Sequence, residues 1–247
     1  MTNYQLTIAW LYPDLMSIYG DRGNIISLTR RCEWRNIQVN ITPIYLDTPT
    51  ADLKKADMLF MGGAQDRQQT IVATNLQKKK DLLSEMIENN IPGLYICGGF
   101  QYLGKYYKEA DGTKIEQLGI LAVWTENPGK KRLIGNIAVD ASQVLGEKTI
   151  LVGFENHGGR TRLGSSVKPL GKVIKGYGSN AEDHTEGAIY KNSIGTYLHG
   201  PILPKNPTLS DWLIQKALEK KYKTSIVLQF LDDGLAKRAH DAILKKM

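Results

Sequence analysis

The chain has 247 residues and 42% hydrophobic content, which is enough for a sizeable buried core. No apolar run approaches the roughly 18 to 20 residues that span a bilayer, and the N-terminus lacks a signal-peptide pattern, so we expect a cytoplasmic protein without a transmembrane segment. Two cysteines exclude a disulfide framework. The net charge of +7 comes from scattered basic residues, and this pattern favours ordinary solubility over binding to a nucleic acid, an acidic partner or a lipid headgroup.

The first hundred residues alternate between strand-like and helix-like segments. Apolar side chains at 82, 83, 86 and 87 mark one face of the longest predicted helix. Strands separated by helices imply parallel pairing with right-handed crossovers, so we predict an α/β fold with a mostly parallel central sheet flanked by helices. The predicted strands are Leu6 to Leu11, Val39 to Leu46, Asp57 to Met61 and Ile91 to Ile96, and the predicted helices are Asn24 to Arg35 and Gln68 to Asn89.

The pattern changes after Leu118. Short runs rich in Gly, Thr, Val and Ile continue to residue 200, and they predict further strands and hairpins added to the same sheet. No linker, repeat or low-complexity segment divides the chain. We therefore predict that residues 1–247 form a single domain.

The C-terminal part is predicted to be helical. Thr208 and Asp211 have the spacing of a capping box, and the helix that they start is expected to run to about Tyr222. A last helix is expected from about Ser225, with a break near Gly234.

A cysteine stands on a tight corner in the stretch "LYICGGFQYLG". Cys97 follows a buried strand and precedes a helix, and in parallel sheets ligands bind beyond the carboxyl ends of the strands. A helix N-terminus lowers the pKa of a thiol, and the N–H of Gly98 could point at a developing oxyanion. The corner therefore resembles a nucleophile elbow. The alternative is a buried cysteine that acts as a small hydrophobe, and this is how we interpret Cys32.

A thiol nucleophile needs a base, and two of the four histidines follow short strands. His157 ends "LVGFENH" and His199 ends "GTYLH", so either could reach the sheet edge that carries Cys97. The residues alone do not choose between them. His184 lies among acids on a loop, where a metal site is a remote alternative, and His240 has no catalytic context.

A family resemblance supplies the choice. "LYICGGFQYLG" resembles the C-x-G-x-Q elbow of the triad-type, or class I, glutamine amidotransferases, with Cys97, Gly99 and Gln101 on its fixed positions. The resemblance implies a flavodoxin-like fold. It also implies that Cys97 is the nucleophile that attacks the carboxamide of L-glutamine, with Gly98 as one oxyanion donor.

Two further motifs carry the same resemblance. "LFMGGAQD" resembles the glycine loop that supplies the other oxyanion donor, which places that role near Gly62 and at Gly63. "GTYLHGP" resembles the histidine motif of the cobyric-acid-synthase-like branch, and this assigns the base to His199. Many relatives carry a glutamate two residues after this histidine, where this chain has Pro201. A third catalytic acid must therefore come from another segment, come from a partner, or be absent.

The N-terminal stretch "LYPDLMSIYGDRGNI", together with "RLIGNI" and "GFENHGGRT", narrows the resemblance to the glutaminase subunits of lipid II isoglutaminyl synthases. It extends from Leu11 to about Pro207. It implies that Arg132 holds the carboxylate of free glutamine, for which a guanidinium fork is suited. From the residues alone, Arg132 with Lys130 and Lys131 would be interpreted as a solvated basic turn.

The sequence has no phosphate-binding loop of the G-x-x-x-x-G-K-[ST] or G-x-G-x-x-G type, so we expect no cofactor or metal in this chain. Amide synthesis from a carboxylic acid needs ATP. The resemblance therefore implies a heterodimer in which a Mur-ligase-like subunit, MurT, binds ATP and Mg and activates the α-carboxyl of D-glutamate in lipid II, at the inner face of the membrane.

Three other functions are alternatives to this one: an amidotransferase of cofactor biosynthesis, a stand-alone γ-glutamyl hydrolase, and a non-enzymatic binding module on the same fold. The apolar segment 11–25 also has two interpretations, because it could contact a partner or pack against its own sheet.

Overall fold

A computed structural model describes residues 4–64, 66–146 and 148–247, without the side chains of residues 66–70. The strands in chain order are β1 Gln5–Leu11, β2 Gln38–Ile44, β3 Met58–Met61, β4 Gly93–Ile96, β5 Tyr106–Lys108, β6 Lys114–Glu116, β7 Val123–Glu126, β8 Leu133–Asp140, β9 Ile150–His157, β10 Arg160–Leu163, β11 Gly171–Lys175, β12 Thr185–Glu186, β13 Ala188–Tyr190 and β14 Ser193–Thr196. The α-helices are α1 Arg22–Glu33, α2 Asp66–Gln77, α3 Lys80–Glu88, α4 Gly98–Leu103, α5 Ser142–Leu145, α6 Pro207–Tyr222 and α7 Gly234–Leu244.

The central sheet has six strands in the order β13-β14-β4-β3-β1-β2. All neighbouring pairs are parallel except β13 and β14, which are antiparallel. Strands β3, β4 and β14 are buried at every position, as expected for central strands that are covered on both faces. The predicted mostly parallel α/β sheet is confirmed.

Two smaller sheets account for most of the strands after β4. Their orders are β10-β7-β5-β6 and β12-β11-β8-β9. The prediction that the strands up to residue 200 extend the central sheet is therefore right only for β13 and β14. Strands β8 and β9 follow each other in the chain and pair antiparallel over eight positions, so local pairing takes precedence over addition to the central sheet.

The long helix predicted from Gln68 to Asn89 is two helices, α2 and α3. The chain turns between them, where the N–H of Lys79 donates to the carbonyl of Leu76. Lys79 is buried at this turn, and its Nζ donates to Oδ1 of Asn75, which also accepts from the Tyr12 hydroxyl. These tertiary contacts override the helical periodicity of the sequence.

The predicted capping box at Thr208 and Asp211 is wrong. Helix α6 begins after Asn206, and no side-chain hydrogen bond caps it. The carboxylate of Asp211 instead accepts from the guanidinium groups of Arg31 and Arg35 at 2.7 to 3.0 Å. Both arginines are buried, and a buried charge without a partner costs more free energy than a helix end without a side-chain cap. Asp211 therefore pairs with the arginines.

The last helix begins at Gly234 rather than near Ser225. The preceding residues form no helix, because their backbone is held against α1: the carbonyl of Gln229 accepts from Nε of Arg35, and Asp233 pairs with Arg31. The N–H of Gly234 donates to Oδ1 of Asp232, which turns the chain into α7. Among the helices of the described ranges, none is long and apolar enough to cross a membrane.

Candidate active site

The carboxyl ends of four neighbouring strands bring the motifs together. The strand register places Leu11 beside Met61, Met61 beside Tyr95, and Ile96 beside Thr196. The residues that follow β1, β3, β4 and β14 therefore leave the sheet at one edge. These are the segment after β1, the glycine loop, the cysteine corner and the histidine motif.

Cys97 occupies a strained corner between β4 and α4. Its φ of 50° and ψ of −104° lie outside the regions that a residue with a side chain ordinarily adopts. The corner is held by hydrogen bonds from the Cys97 N–H to the Thr196 carbonyl and from the Gln101 N–H to the Cys97 carbonyl, at 2.8 and 2.9 Å. A Cβ on Gly99 would lie only 2.8 Å from the carbonyl oxygen of Met61, so glycine is needed there. Backbone strain at a cysteine between a strand and a helix is typical of a nucleophile elbow.

The glycine loop lies between the cysteine corner and the histidine. A Cβ on Gly63 would lie 3.2 Å from Cε1 of His199, and a Cβ on Gly98 would lie 3.2 Å from the backbone nitrogen of Ala64. The N–H of Gly63 donates to Oδ2 of Asp21 at 2.7 Å. Gln65 and the side chain of Asp66, which complete this motif, are outside the described residues.

His199 is fully buried beside this loop. Burial, together with the positive charge of Arg132, lowers the pKa of its imidazole from 6.5 to about 4. The ring is therefore neutral at pH 7 and can accept a proton. Neither ring nitrogen has a hydrogen-bond partner within the described parts of the chain.

Tyr19 and Arg132 form the outer side of the site. The Tyr19 ring meets the His199 ring edge-on, with 4.8 Å between the ring centroids. Its hydroxyl accepts from Nδ2 of Asn156 at 2.7 Å. Arg132 donates to Oδ1 and to the backbone carbonyl of Asn156, both at 2.8 Å, so its exposed guanidinium is anchored to the same residue as the Tyr19 hydroxyl.

His157 lies beneath the site and is buried. Its ring stacks on the ring of Tyr197 with 3.8 Å between the centroids, and its Nδ1 is hydrogen-bonded to the Gly159 carbonyl at 2.8 Å. The Tyr197 hydroxyl accepts from Nε2 of Gln101 at 3.0 Å. These contacts tie the Gln101 position of the cysteine motif to the strand end that carries His199, and they give His157 a packing role.

Two buried carboxyl groups, Glu186 and Glu155, accept hydrogen bonds from neighbouring strands and loops. Glu186 accepts from the Thr196 hydroxyl and from the Tyr197 N–H, both at 2.7 Å, and Glu155 accepts from the N–H groups of Tyr177 and Gly178. Burial raises the pKa of both groups. Neither carboxyl bonds the imidazole of His199. The part of the chain that the structure describes contains no group of three or more His, Cys, Asp or Glu that could hold a metal ion.

Several residues at this edge were not singled out from the sequence. Tyr19 and Asp21 belong to the stretch "LYPDLMSIYGDRGNI", and Asn156 belongs to "GFENHGGRT", but these motifs alone give none of the three residues a role in the site. In that first stretch Tyr12 and Met16 are fully buried, whereas Tyr19 is half-exposed. Much of the stretch therefore packs against its own sheet.

A thiol and a neutral imidazole at the carboxyl edge of a parallel sheet are the parts of a cysteine-dependent acyl-transfer enzyme. The CobB/CobQ-like glutamine amidotransferase domain family matches residues 7–207. The chain belongs to this family, and it is a glutamine amidotransferase.

The chain is also similar to two subunits of one synthase. It is 47% identical over 218 residues to the lipid II isoglutaminyl synthase (glutamine-hydrolyzing) subunit GatD of Staphylococcus aureus strain N315, covering 88% of this chain and 86% of that protein. It is 43% identical over 233 residues to the subunit of the same name from Streptococcus pneumoniae strain ATCC BAA-255 / R6, covering 94% and 88%.

Among solved structures, the glutaminase domain of a Trypanosoma brucei CTPS with bound acivicin matches with a TM-score of 0.56. The identity is 13%, and the match covers 91% of this chain and 96% of that one. At this identity the likeness shows the fold, which agrees with the predicted class I amidotransferase fold.

Proposed function

We propose that this chain is the glutaminase subunit of a lipid II isoglutaminyl synthase. It hydrolyses L-glutamine to glutamate and ammonia, and it passes the ammonia to a second subunit. The observation that carries the proposal is the meeting of the strained Cys97 corner and the buried, neutral imidazole of His199 at one sheet edge. The family membership and the similarity to two such subunits along most of the chain support it.

The proposed reaction has two halves. His199 takes the proton of the Cys97 thiol, and the thiolate forms a C–S bond to the carboxamide carbon of glutamine. His199 then gives that proton to the leaving nitrogen, the C–N bond breaks, and ammonia departs. Water attacks the resulting thioester with the same imidazole as base, the C–S bond breaks, and the proton passes to the leaving sulfur, so that glutamate is released and the thiol is restored.

Two N–H donors are proposed to stabilise the tetrahedral oxyanions. One is the N–H of Gly98, which follows the nucleophile. The other comes from the glycine loop. The N–H of Gly63, which the family resemblance assigns, donates to Asp21 in this structure, so Gly63 serves only if that bond opens. The N–H of Ala64, whose nitrogen is 3.2 Å from a Cβ position on Gly98, is the alternative donor from the same loop.

Arg132 is proposed to bind the α-carboxylate of glutamine. We expect Arg132→Ala to raise the KM for glutamine by roughly 10- to 100-fold with a smaller effect on kcat, because a charge-assisted hydrogen bond contributes about 1.5–3 kcal/mol. Arg162→Ala, which removes an exposed arginine paired with Glu182, is the matched control and should change neither constant. Steady-state kinetics measures both constants. If both are unchanged in Arg132→Ala, Arg132 belongs to a solvated basic turn and does not bind glutamine.

The second substrate and the energy source are proposed to lie on the partner. A Mur-ligase-like subunit, MurT, would bind ATP and Mg and activate the α-carboxyl of the stem-peptide D-glutamate of lipid II, at the cytoplasmic face of the membrane. Free ammonia is mostly ammonium at neutral pH and is then not a nucleophile. A direct transfer between the two subunits is therefore an advantage for the synthesis.

The experiment that tests the proposed activity is glutamine turnover by the purified chain, alone and with the partner. We expect glutamate and ammonia in equal amounts from L-glutamine, and no turnover of D-glutamine. Absence of glutamate release in both preparations would contradict the proposal.

A further inference from the structure

The stretch Gly20–Asn24, which we call the GDRGN turn, joins the segment after β1 to helix α1 and includes the first three residues of that helix. Its two buried polar side chains each hold a different loop of the active site. Oδ2 of Asp21 accepts from the N–H of Gly63 in the glycine loop at 2.7 Å. Oδ1 of Asn24 accepts from the N–H of Leu203, in the loop that follows His199, at 3.0 Å.

Both loops pack against the GDRGN turn without spare room. A Cβ on Gly62 would lie 2.7 Å from Oδ2 of Asp21 and would also collide with the carbonyl oxygen of Met16. A Cβ on Gly23 would collide with the ring of Pro201, two residues after the histidine. Asp21 and Asn24 are both fully buried, so loss of either acceptor would leave a backbone N–H without a partner away from water.

The two loops bear on His199 because Gly63 lies beside its ring and Leu203 lies four residues after it in the chain. Within the described ranges no group forms a hydrogen bond with either ring nitrogen. Gly63 lies on one side of the ring, where a Cβ would stand 3.2 Å from Cε1, and the Tyr19 ring meets it edge-on. Asp21 fixes Gly63, and Asn24 fixes the backbone that continues from His199.

We propose that Asp21 and Asn24 are positioning residues that set the orientation of the His199 imidazole toward Cys97. The assignment of His199 as base rests on the proposed function. The GDRGN turn acts by holding the walls of the imidazole site, rather than by bonding the ring.

The test compares four variants by kcat, KM and histidine NMR of the full-length protein with its partner. Asp21→Ala and Asn24→Ala should each lower kcat by roughly 10- to 100-fold, because a small misplacement of a catalytic group has effects of that size. KM should change by less than about threefold, since neither side chain contacts the proposed glutamine carboxylate site. Asp21→Asn keeps an oxygen acceptor for the Gly63 N–H, and it should recover most of the lost kcat.

The matched control is Asp57→Ala. Asp57 also accepts a backbone N–H, from Thr7 at 2.8 Å, but it precedes β3 at the opposite edge of the central sheet. This variant should lower the unfolding temperature without lowering kcat. The ring resonances of His199, assigned by their loss in His199→Gln, should shift in Asp21→Ala and Asn24→Ala and stay in place in Asp57→Ala.

Three outcomes would overturn the positioning role. The first is a kcat for Asp21→Ala and Asn24→Ala equal to that of Asp57→Ala. The second is unshifted His199 resonances in both variants. The third is a raised kcat for Asp21→Ala, which would mean that Asp21 restrains the oxyanion donor of Gly63. If Asp21→Ala does not fold, Asn24→Ala gives the same test from the other loop. If the wild-type complex hydrolyses no glutamine, the proposed function fails, and the resonances still decide whether the turn orients the ring.

Discussion

Replacement of Cys97 by alanine or serine is expected to abolish glutamine hydrolysis while leaving the fold intact. The loss should reach roughly four orders of magnitude or more in kcat, since removal of the nucleophile removes the covalent route altogether. Serine retains the shape of cysteine, but its hydroxyl is a far weaker nucleophile than a thiolate at this pH. Glutamate release measures the effect, and circular dichroism checks the fold.

Cys32 provides the internal control for this prediction. It is fully buried in α1, and burial raises the pKa of its thiol to about 12, so it remains an unreactive thiol at neutral pH. A glutamine-mimicking alkylator should therefore label Cys97 and not Cys32, and Cys32→Ala should retain its turnover. Labelling of Cys32 alone, or undiminished hydrolysis by the Cys97 variants, would show that the nucleophile is elsewhere.

Replacement of His199 by alanine should eliminate turnover, whereas His157→Ala should preserve part of it. His199 lies against the glycine loop, and its neutral imidazole is the group available to take the thiol proton. We expect a loss of roughly three orders of magnitude or more in kcat for His199→Ala. The ring of His157 is instead engaged with Tyr197 and with the carbonyl of Gly159, so its removal should act through packing.

The two histidine variants need to be compared at equal folded fraction. Both rings are buried, and either truncation leaves a cavity that lowers the free energy of unfolding. Thermal unfolding measured beside kcat separates lost stability from lost chemistry. If His157→Ala were the inactive variant and His199→Ala the active one, the assignment of the base would be reversed.

The pH dependence of kcat/KM gives an independent check on His199. Because burial and Arg132 lower the pKa of the imidazole from its ordinary value of 6.5 to about 4, the ring stays neutral at pH values well below 6.5. The acid limb that this group controls in the free enzyme should therefore lie below pH 6 and should move upward in Arg132→Ala. An acid limb at the ordinary histidine value, unmoved by that substitution, would contradict the electrostatic description of the site.

The central sheet could be predicted because its signal is local. Strands β3 and β4 are short apolar runs between helical segments, and their burial on both faces leaves no other role for them. The Cys97 corner could be predicted for the same reason, since a strand, a cysteine and two glycines are adjacent in the chain. The roles at both positions follow from neighbours in sequence.

The missed features depend on contacts between distant parts of the chain. Asp211 was interpreted as a helix cap, but its partners Arg31 and Arg35 lie 180 and 176 residues away. Asp21 is a polar residue between two glycines, and Asn24 is the first residue of a predicted helix, so the local sequence predicts no burial for either side chain. Their burial depends on two segments that are distant in sequence, the glycine loop and the loop after His199, which pack against them.

The choice between His157 and His199 shows a different limit. Both lie at the ends of predicted strands, and both are buried in the structure. Strand position and burial therefore do not distinguish them. The family resemblance selected His199. The structure adds a physical difference, because one imidazole is held by a backbone carbonyl and the other has no hydrogen-bond partner in the described chain.

The most direct test of the division of labour uses a complex of this chain, carrying Cys97→Ser, with its Mur-ligase-like partner. With ATP, Mg and lipid II, the wild-type complex should amidate the stem-peptide D-glutamate at the expense of glutamine. The Cys97→Ser complex should not do so with glutamine, but it should recover amidation, at least in part, when ammonium is supplied at high concentration. Failure of ammonium to restore the reaction would mean that Cys97 does more than release ammonia, and amidation of lipid II by this chain with ATP but without the partner would contradict the account altogether.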